Sequence, residues 1–509
     1  MRRIDDALVF TLDDPVESST EYDDPSDAEL LGLTDVGHFV LSFHHEPENP
    51  HLGWKTGRGT GKEPKHRNVD FLCARPGDSL ARSLASVHMI FRFNPRSGFL
   101  MLMGGSRKVP VEYKFNGKWE KLEYEQTRVL YLHSTMIRAG NCEYELEYSI
   151  QDGFKDAYLK ERDQFLNSIL PNDNSQPLVF QEMPGDNWVL RKSYIELKRQ
   201  GSGGFGWITK GVDLTSGDPV AIKEICLKGS EARQQACSEI DIGRSCPQPG
   251  LLPTLEAFCE HGTPDTCSDT EKLYIIMPLA RSDFSHISNW ANPEIPRSCK
   301  LQWMRGPLEG IQALHAKGIM HRDVTLRNML ILSSKPPQAA LCDYGKATKA
   351  KSSRNTAIGP KPTLAPEVWK NVPYTAKIDL WAYGYALVRI LGIVVPNNSQ
   401  ITHHTHTIMY AKLQMHAEEV TEDRLLVDLI MKLVVWDPDR RLSAEAALQH
   451  ECWNAVGAEE HPDEKIMNEQ GSKRKYLEGS RSTPDGTNPD PTQEFSTGTR
   501  QVIAKRMGL

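Results

Sequence analysis

A glycine-rich run and the lysine that follows it are the first residues whose types and spacing could do chemistry. Residues 201–208 read GSGGFGWI, and Lys223 ends the apolar run 220–223. Glycines let a backbone close over phosphate groups, because no Cβ blocks the approach and N–H donors can point inward. A lysine on an apolar strand needs a counter-charge, since an uncompensated buried ammonium is costly. Taken alone, the loop also fits a hairpin or a dinucleotide-binding turn, and the lysine also fits a surface position.

Three further motifs follow in order along the chain. Residues 321–328 (HRDVTLRN) come after an amphipathic stretch, residues 343–345 (DYG) follow a strand-like run, and residues 365–367 read APE. A dinucleotide-binding motif opens a helix, whereas the glycine run lies between two strand-like segments. The order and spacing of all five motifs exclude a chance match.

This set of motifs resembles the protein kinase superfamily over residues 194–453. The resemblance includes residues 379–384 (DLWAYG) and residues 436–441 (WDPDRR), where Arg441 is expected to pair with Glu367. It implies an α+β bilobal kinase fold that uses ATP and Mg²⁺ as cofactors. The reaction implied is transfer of the γ-phosphate to serine or threonine hydroxyls of protein substrates.

The same resemblance implies roles for individual residues. Lys223 would hold the α- and β-phosphates, oriented by Glu239 sixteen residues further on; Glu231 is the other candidate, but it follows too soon to reach the middle of that helix. The implied catalytic set is Asp323, Lys223 and Glu239, and the implied metal ligands are Asn328 and Asp343. The implied ATP-binding residues are Gly201, Gly203, Gly206, Ile208, Ala221, Lys223, Met277 as gatekeeper, Leu279, Asp283 and Leu330.

Two positions depart from the family pattern. Thr325 stands where serine/threonine kinases usually have lysine, which removes a cation near the γ-phosphate, and Pro360 replaces a threonine before the APE motif. These departures favour the competing hypothesis of a pseudokinase scaffold, whereas the complete catalytic set favours an enzyme. Arg322 is expected to pair with a phosphate on the activation loop, with Thr356 as the first candidate site.

Residues 36–150 have a different pattern, with short aromatic and β-branched runs separated by turns. Many short strands at this spacing predict an all-β sandwich. Several features resemble a forkhead-associated (FHA) domain, as in checkpoint kinases: residues 57–58 (GR), 106–108 (SRK) and the strand pair over 137–148. Its serine position holds Ala85, next to Ser86. The resemblance implies a phosphopeptide site formed by Arg58, Ser86 and Arg107, which supply charge-assisted hydrogen bonds to phosphate.

Composition sets the remaining expectations. The acidic residues 1–35 and the polar residues 456–509 are predicted to be disordered, and residues 151–190 to be a linker with a helix. The kinase domain is expected over 191–455. A net charge of -7 argues against nucleic-acid binding, and no apolar stretch predicts a membrane span. Ten scattered cysteines indicate reduced thiols and a cytoplasmic or nuclear protein. The partners implied are protein substrates and phosphothreonine-containing proteins.

Overall fold

The protein is described here by a computed structural model. It describes residues 8–12, 38–41, 43, 47–60, 68–73, 79–149, 155–169, 180, 188–203, 206–245, 248–260, 262–264, 267–268, 271–286, 288–353, 364–370, 372–395, 401–456 and 501–506. The chain divides into two compact units. Unit 1 comprises residues 1–201, 208–222 and 495–509, and unit 2 comprises residues 202–207 and 223–494.

Unit 1 is built mainly from strands. These are β1 (Leu8–Leu12), β2 (His38–Leu41), β3 (Trp54–Gly57), β4 (Phe71–Leu72), β5 (Met89–Phe93), β6 (Leu100–Gly104), β7 (Val111–Phe115), β8 (Lys118–Leu122), β9 (Thr127–Val129), β10 (Ser134–Ala139), β11 (Cys142–Ser149), β12 (Val189–Arg191), β13 (Tyr194–Gly203), β14 (Gly206–Asp213) and the start of β15 (Pro219–Cys226). A single α-helix, α1 (Lys155–Ile169), follows β11 in the described part of the unit.

Unit 2 is mainly helical. Its strands are β16 (Glu256–Cys259), β17 (Lys272–Pro278), β18 (Ser282–Asp283), β19 (Ile319–Met320), β20 (Met329–Ser334), β21 (Pro337–Leu341) and β22 (Thr348–Lys349). Its α-helices are α2 (Gly229–Ser245), α3 (Ser288–Ala291), α4 (Arg297–Ala316), α5 (Pro366–Trp369), α6 (Lys377–Ile390), α7 (His403–Glu419), α8 (Arg424–Leu433) and α9 (Ala444–Leu448). The last strand of the chain, β23 (Gln501–Arg506), belongs to unit 1.

Two sheets form the N-terminal part of unit 1. One has the order β1-β2-β23-β11-β10-β7-β8, and the other has the order β4-β3-β5-β6-β9. Buried residues alternate along β5 and β10, as expected for strands with one face on a core. Both sheets contribute to one hydrophobic cluster, in which Trp54 and Phe91 of one sheet join Ile137 of the other. The prediction of an all-β N-terminal region is confirmed.

Three elements lie in the segments around these sheets. β1 and β23 lie within the two stretches predicted to be disordered, because each short run has enough apolar and β-branched residues to add a strand. Helix α1 is present but is more than a linker element, since Phe165 stacks on Trp54 with ring centroids 5.5 Å apart. The apolar face of α1 therefore completes the hydrophobic core that the two sheets share. These two sheets together with α1 are called the β-domain below.

The cysteines also depart from the sequence-based expectation. Cys259 and Cys267 form a disulfide across a short loop after β16, where the chain brings their Cα atoms within 5.9 Å. The sequence showed no paired spacing that would indicate this bond. Cys226, Cys299, Cys342 and Cys452 are free thiols.

In unit 1, the β-domain forms hydrogen bonds with the turn that joins β14 to β15. The Asn94 side-chain amide donates to the Ser216 carbonyl at 2.9 Å, and the Val129 N–H donates to the Leu214 carbonyl at 2.8 Å. Gly217 has a φ of +75°, and a Cβ there would lie 2.6 Å from the sulfur of Met101. Only glycine combines this left-handed conformation with so close an approach. The turn is thus fixed by the β-domain.

The core of unit 2 surrounds α4 and α6. Leu308, Ile311 and Leu314 of α4 and Leu380 and Trp381 of α6 are fully buried in one cluster. The interior of α4 contains Pro307, which lacks the N–H that would bond to the preceding turn. None of the helices in the described ranges is both long and apolar enough to cross a bilayer.

Replacing Asn94 with alanine should reduce the protection of the β14–β15 turn from hydrogen exchange. The side chain is buried, accepts from the N–H groups of Arg96 and Ser97, and donates to Ser216, so its loss leaves the buried Ser97 N–H unpaired at a cost of about 2 kcal/mol. Amide hydrogen exchange of residues 213–218 should accelerate in the full-length Asn94→Ala protein. The neighbouring Arg96→Ala is the control, because its ion pair with Asp218 is largely exposed and contributes about 0.5 kcal/mol or less. Equal exchange in both variants would contradict the role given to Asn94.

Candidate active site

A buried ammonium lies at the centre of the candidate site. Lys223 is 6% exposed on β15, whose residues 219–225 are all buried. Its Nζ donates to both carboxylate oxygens of Glu239, at 2.6 and 2.8 Å, and to Oδ1 of Asp343 at 2.9 Å. An ammonium has three N–H donors, so each has a carboxylate acceptor. Burial opposes the charged form, but the carboxylates of Glu239 and Asp343 hold the pKa of Lys223 above its usual value.

Helix α2 supplies the carboxylate that orients this lysine. Glu239 lies on the inner face of α2 and is 4% exposed. The pairing expected from the sixteen-residue spacing is therefore present, in place of the alternative at Glu231. The two carboxylates around Lys223 carry one negative charge more than the ammonium neutralises. That excess favours a further cation beside Asp343.

A buried carboxylate of α6 holds the loop that carries Asp323 by accepting hydrogen bonds from its main chain. Asp379 is 1% exposed and accepts from the N–H groups of His321 at 2.9 Å and Arg322 at 2.8 Å. Nε2 of His315 lies 2.8 Å from the same carboxylate. Burial opposes ionisation of Asp379, but these hydrogen bonds outweigh it and hold its pKa below the usual value. They also hold Arg322 at a φ of +66°, a conformation that is strained for a residue with a side chain.

Asp323 is fixed through its main chain, which leaves its carboxylate available. Its N–H donates to Nδ1 of His321 at 3.2 Å, and its carbonyl accepts from Nδ2 of Asn328 at 2.8 Å. Its Oδ2 accepts from Nζ of Lys346 at 3.1 Å. These contacts fix the position of a nearly buried aspartate, of which Lys346 contacts one carboxylate oxygen.

Asn328 and Asp343 are suited to a hard divalent cation. The amide nitrogen of Asn328 is engaged with Asp323, and Oδ1 of Asp343 is engaged with Lys223. Oδ1 of Asn328 and Oδ2 of Asp343 remain for a ligand. Mg²⁺ is typically held by one or two protein oxygens together with substrate phosphates and water, so a site with few protein ligands fits it. The described residues contain no cluster of three or more His, Cys, Asp or Glu suited to a metal.

The nucleotide-side predictions fall on several elements. In unit 2, Met277 and Leu279 are buried at the end of β17, and Asp283 pairs with Leu330 where β18 and β20 run antiparallel. Asp283 Oδ1 accepts from the N–H of Ser285 at 2.7 Å, so it is partly engaged. In unit 1, Ile208 is half-buried on β14 and Ala221 is buried on β15. Gly201 and Gly203 end β13 and Gly206 begins β14, whereas 204–205 lie outside the described residues.

A second buried ion pair stabilises the helical part of the site. Arg441 donates through Nη1 and Nη2 to the two oxygens of Glu367, at 2.7 and 2.8 Å. Its remaining N–H groups donate to the carbonyls of Val435, Lys377 and Trp436. All five donors of the guanidinium are satisfied, and its side chain is 0% exposed. The expected pairing of Arg441 with Glu367 is therefore present.

The loops that carry the predicted phosphopeptide residues meet at one end of the β-domain. The Arg58 N–H donates to the Ala85 carbonyl at 3.0 Å, and the Gly105 N–H donates to the His88 carbonyl at 2.9 Å. A Cβ at Gly57 would lie 2.3 Å from the Ser86 oxygen, which explains the glycine there. The structure thus brings the segments of Arg58, Ser86 and Arg107 together.

The side chains at this end differ in availability. The Arg58 side chain is exposed and pairs with no carboxylate in the part of the chain that the structure describes. Arg107 is exposed and lies over the Tyr124 ring at 4.8 Å. His88 is buried and joins the loops, since Nδ1 accepts from the Ala85 N–H and Nε2 faces the Pro110 carbonyl. Burial lowers the pKa of His88, which favours the neutral ring that this pattern requires.

The activation-loop predictions are described only in part. Thr356 and Pro360 lie outside the described residues, whereas Arg322 donates from Nε to the Lys346 carbonyl at 2.6 Å. The contact of Lys346 with Asp323 was not predicted. The available signal was a lysine directly after residues 343–345 in a chain whose catalytic loop has Thr325 where a lysine is usual.

Comparison with known proteins assigns the family. Residues 194–453 match the family model of the protein kinase domain, which is about half of the chain. The chain therefore belongs to the protein kinase family. Members of this family generally use ATP and Mg²⁺ and act on proteins.

Three relatives illustrate the extent of the similarity. Serine/threonine-protein kinase dkf-1 of Caenorhabditis briggsae is 29% identical over 266 residues, covering 50% of this chain and 34% of the relative. Serine/threonine-protein kinase PLK4 of Drosophila grimshawi is 27% identical, covering 49% and 32%. Human serine/threonine-protein kinase H1 is 26% identical, covering 49% and 58%. The chain spans about a third of the length of the first two relatives and about three fifths of the third.

Replacing Glu367 with glutamine should destabilise the protein strongly. The change leaves the buried Arg441 charge without its counter-charge, at a cost of about 3 kcal/mol. Glu309→Gln is the matched control, since Glu309 also pairs with an arginine, Arg305 at 2.9 Å, but on a partly exposed helix face where the pair contributes about 0.5 kcal/mol. Chemical denaturation followed by fluorescence measures both. Similar small losses in the two variants would show that the buried pair has no special weight.

Proposed function

We propose that this chain is an ATP- and Mg²⁺-dependent protein kinase that phosphorylates serine and threonine hydroxyls. The observation that carries the proposal is the buried Lys223, whose three donors are matched by Glu239 and Asp343. Burying a charged group costs free energy even when it is paired, and such groups occur preferentially at functional sites. Binding the phosphates of a nucleotide is a function that a buried lysine can perform. The names of the three relatives, all serine/threonine-protein kinases, support serine and threonine as the hydroxyl donors.

The proposed mechanism assigns one task to each residue. Lys223 would bind the α- and β-phosphates by exchanging its hydrogen bond to Asp343 for one to phosphate. Asn328 and Asp343 would hold Mg²⁺, whose charge would offset that of the phosphates. Asp323 orients the substrate hydroxyl and accepts its proton. The hydroxyl oxygen forms a bond to the γ-phosphorus while the bond from that phosphorus to the bridging oxygen of ADP breaks. The chain contributes mainly positioning and electrostatic stabilisation, as is general for phosphoryl transfer.

A pseudokinase scaffold is the competing function. Thr325 supports it, because the position lacks the cation that serine/threonine kinases usually provide there, and Pro360 supports it at the segment expected to position the peptide. The complete set Lys223, Glu239, Asp323, Asn328 and Asp343 supports the enzyme. The two functions differ in whether phosphate is transferred at all.

Transfer of radiolabelled phosphate from ATP distinguishes them. With Mg²⁺ and a generic protein substrate, the wild-type protein should label the substrate, and Asp323→Asn should lower the rate by at least about 100-fold because the proton acceptor is lost. Nucleotide affinity of Asp323→Asn, measured by calorimetry, should stay close to that of the wild type. A folded wild type that binds nucleotide but transfers no phosphate would support the scaffold.

We further propose that the β-domain is an FHA-like module that binds phosphothreonine peptides. The convergence of the Arg58, Ser86 and Arg107 segments supports this, together with the exposed Arg58 side chain. Guanidinium groups bind phosphate through paired charge-assisted hydrogen bonds. Ala85 counts against the proposal, because the serine hydroxyl of the family pattern is absent and Ser86 must replace it.

Peptide binding to the full-length protein tests this module. A phosphothreonine peptide library should be retained by the wild type, and Arg58→Ala should weaken retention at least about tenfold through the loss of a charged hydrogen bond. Lys118→Ala is the control, since this exposed cation lies on β8 rather than in the loops. The module is not a phosphopeptide reader if the unphosphorylated library binds equally well or if Arg58→Ala has no effect.

A further inference from the structure

The catalytic loop lacks a cation at the position where the proposed reaction needs one. Thr325 lies two residues after Asp323 and is half-buried, just before the short 3-10 helix Leu326–Asn328. A threonine hydroxyl can hydrogen-bond but cannot neutralise the charge of a transferring phosphoryl group. In a water-poor site, such uncompensated charge raises the barrier to transfer.

A lysine from a different segment occupies the vicinity of the same aspartate. Lys346 ends the 3-10 helix Tyr344–Lys346, directly after the Asp343 motif, and its Nζ lies 3.1 Å from Oδ2 of Asp323. The Lys346 side chain is 24% exposed and that of Asp323 is 10% exposed. The ammonium is therefore close to the catalytic carboxylate while part of its surface still faces solvent, from which a substrate arrives.

The main chain around Lys346 is fixed to the same loop. Nε of Arg322 donates to the Lys346 carbonyl at 2.6 Å, and the Ala347 N–H donates to the Tyr344 carbonyl at 2.9 Å. Asp343, three residues earlier, is tied to Lys223. The main chain of Lys346 is thus held by the catalytic loop, and its ammonium is held by Asp323. Such preorganisation is what electrostatic catalysis requires.

The neighbouring cations do not offer the same contact. Arg327 belongs to the catalytic loop, but its side chain is exposed and pairs with none of the carboxylates that the structure describes. Lys349 is exposed on β22. In the described part of the chain, Lys346 is the cation that contacts Asp323.

We propose that Lys346 supplies the cation that Thr325 lacks, contacting the γ-phosphoryl group of the nucleotide while it orients Asp323. This inference rests on the proposed kinase function and deepens it. In the step itself, the hydroxyl oxygen bonds to the γ-phosphorus, the bond to the bridging oxygen breaks with its electron pair leaving on ADP, and the proton goes to Asp323. Lys346 keeps its own proton throughout and stabilises the negative charge on the transferring group.

Replacing Lys346 with methionine should reduce kcat by about 100-fold, as expected when one electrostatic contact to the transferring group is removed. The decisive comparison is the double variant Lys346→Met with Thr325→Lys, which returns the cation from the catalytic loop. The double variant should recover most of the lost kcat. A lysine with a purely structural role at position 346 would not be rescued by a lysine at position 325. Lys349→Met is the matched control and should retain the wild-type kcat.

A binding measurement provides a readout that does not depend on turnover. Calorimetry with Mg²⁺ should show that Lys346→Met weakens a non-hydrolysable ATP analogue by about tenfold, the effect of losing roughly one charged contact, while ADP binds as in the wild type. Lys346→Arg retains the charge and should lie between the two proteins. It also serves if Lys346→Met fails to fold.

The outcomes separate this inference from the proposed function. If the wild type transfers phosphate and Lys346→Met does so equally fast, Lys346 has no such role although the chain is a kinase. A faster Lys346→Met would identify the contact with Asp323 as inhibitory and would overturn the inference. If the wild type itself transfers nothing, the kinase proposal fails first; equal loss of analogue and ADP affinity would show that Lys346 acts on the fold rather than on the γ-phosphate.

Discussion

The cost of burying one ammonium group constrains the whole site. Lys223 can remain charged inside the protein only if acceptors meet all three of its N–H donors, and those acceptors come from Glu239 and Asp343. A strand, a helix and the segment after β21 must therefore converge on one point within hydrogen-bonding distance. The two carboxylates leave an excess negative charge, so the same arrangement that secures the lysine prepares the place for a metal ion.

The catalytic loop obeys a similar rule with the opposite sign. Asp379 is a buried carboxylate whose acceptors are satisfied by the backbone of His321 and Arg322, and this fixes the strained conformation just before Asp323. Arg441 and Glu367 form a third closed set, in which every donor of the guanidinium is used. Each of these three buried charges joins segments that are distant in sequence.

The sequence predicted those parts of the site that depend on residue type and spacing. The family resemblance implied the pairing of Lys223 with Glu239, where spacing decided against Glu231, and the pairing of Arg441 with Glu367. Contacts that depend on how a turn is oriented could not be predicted. The approach of Lys346 to Asp323 requires the 3-10 geometry of residues 344–346. The disulfide of Cys259 with Cys267 requires the loop after β16 to bring the two Cα atoms within 5.9 Å. Helix α1 was predicted, but its packing on Trp54 was not, because an amphipathic pattern does not name the surface that it covers.

The contacts of the β-domain with residues 213–218 extend past Tyr194, the residue at which the match to the kinase family begins. Surface turns between strands normally tolerate insertions and deletions, because little packs against them. Here Leu214 is fully buried and Gly217 has no room for a side chain, so a change in the length of this turn would disturb two domains at once. The start of the family match at Tyr194 thus marks where sequence similarity begins. The sequence and length of the turn are nevertheless constrained by Asn94, more than a hundred residues earlier in the chain.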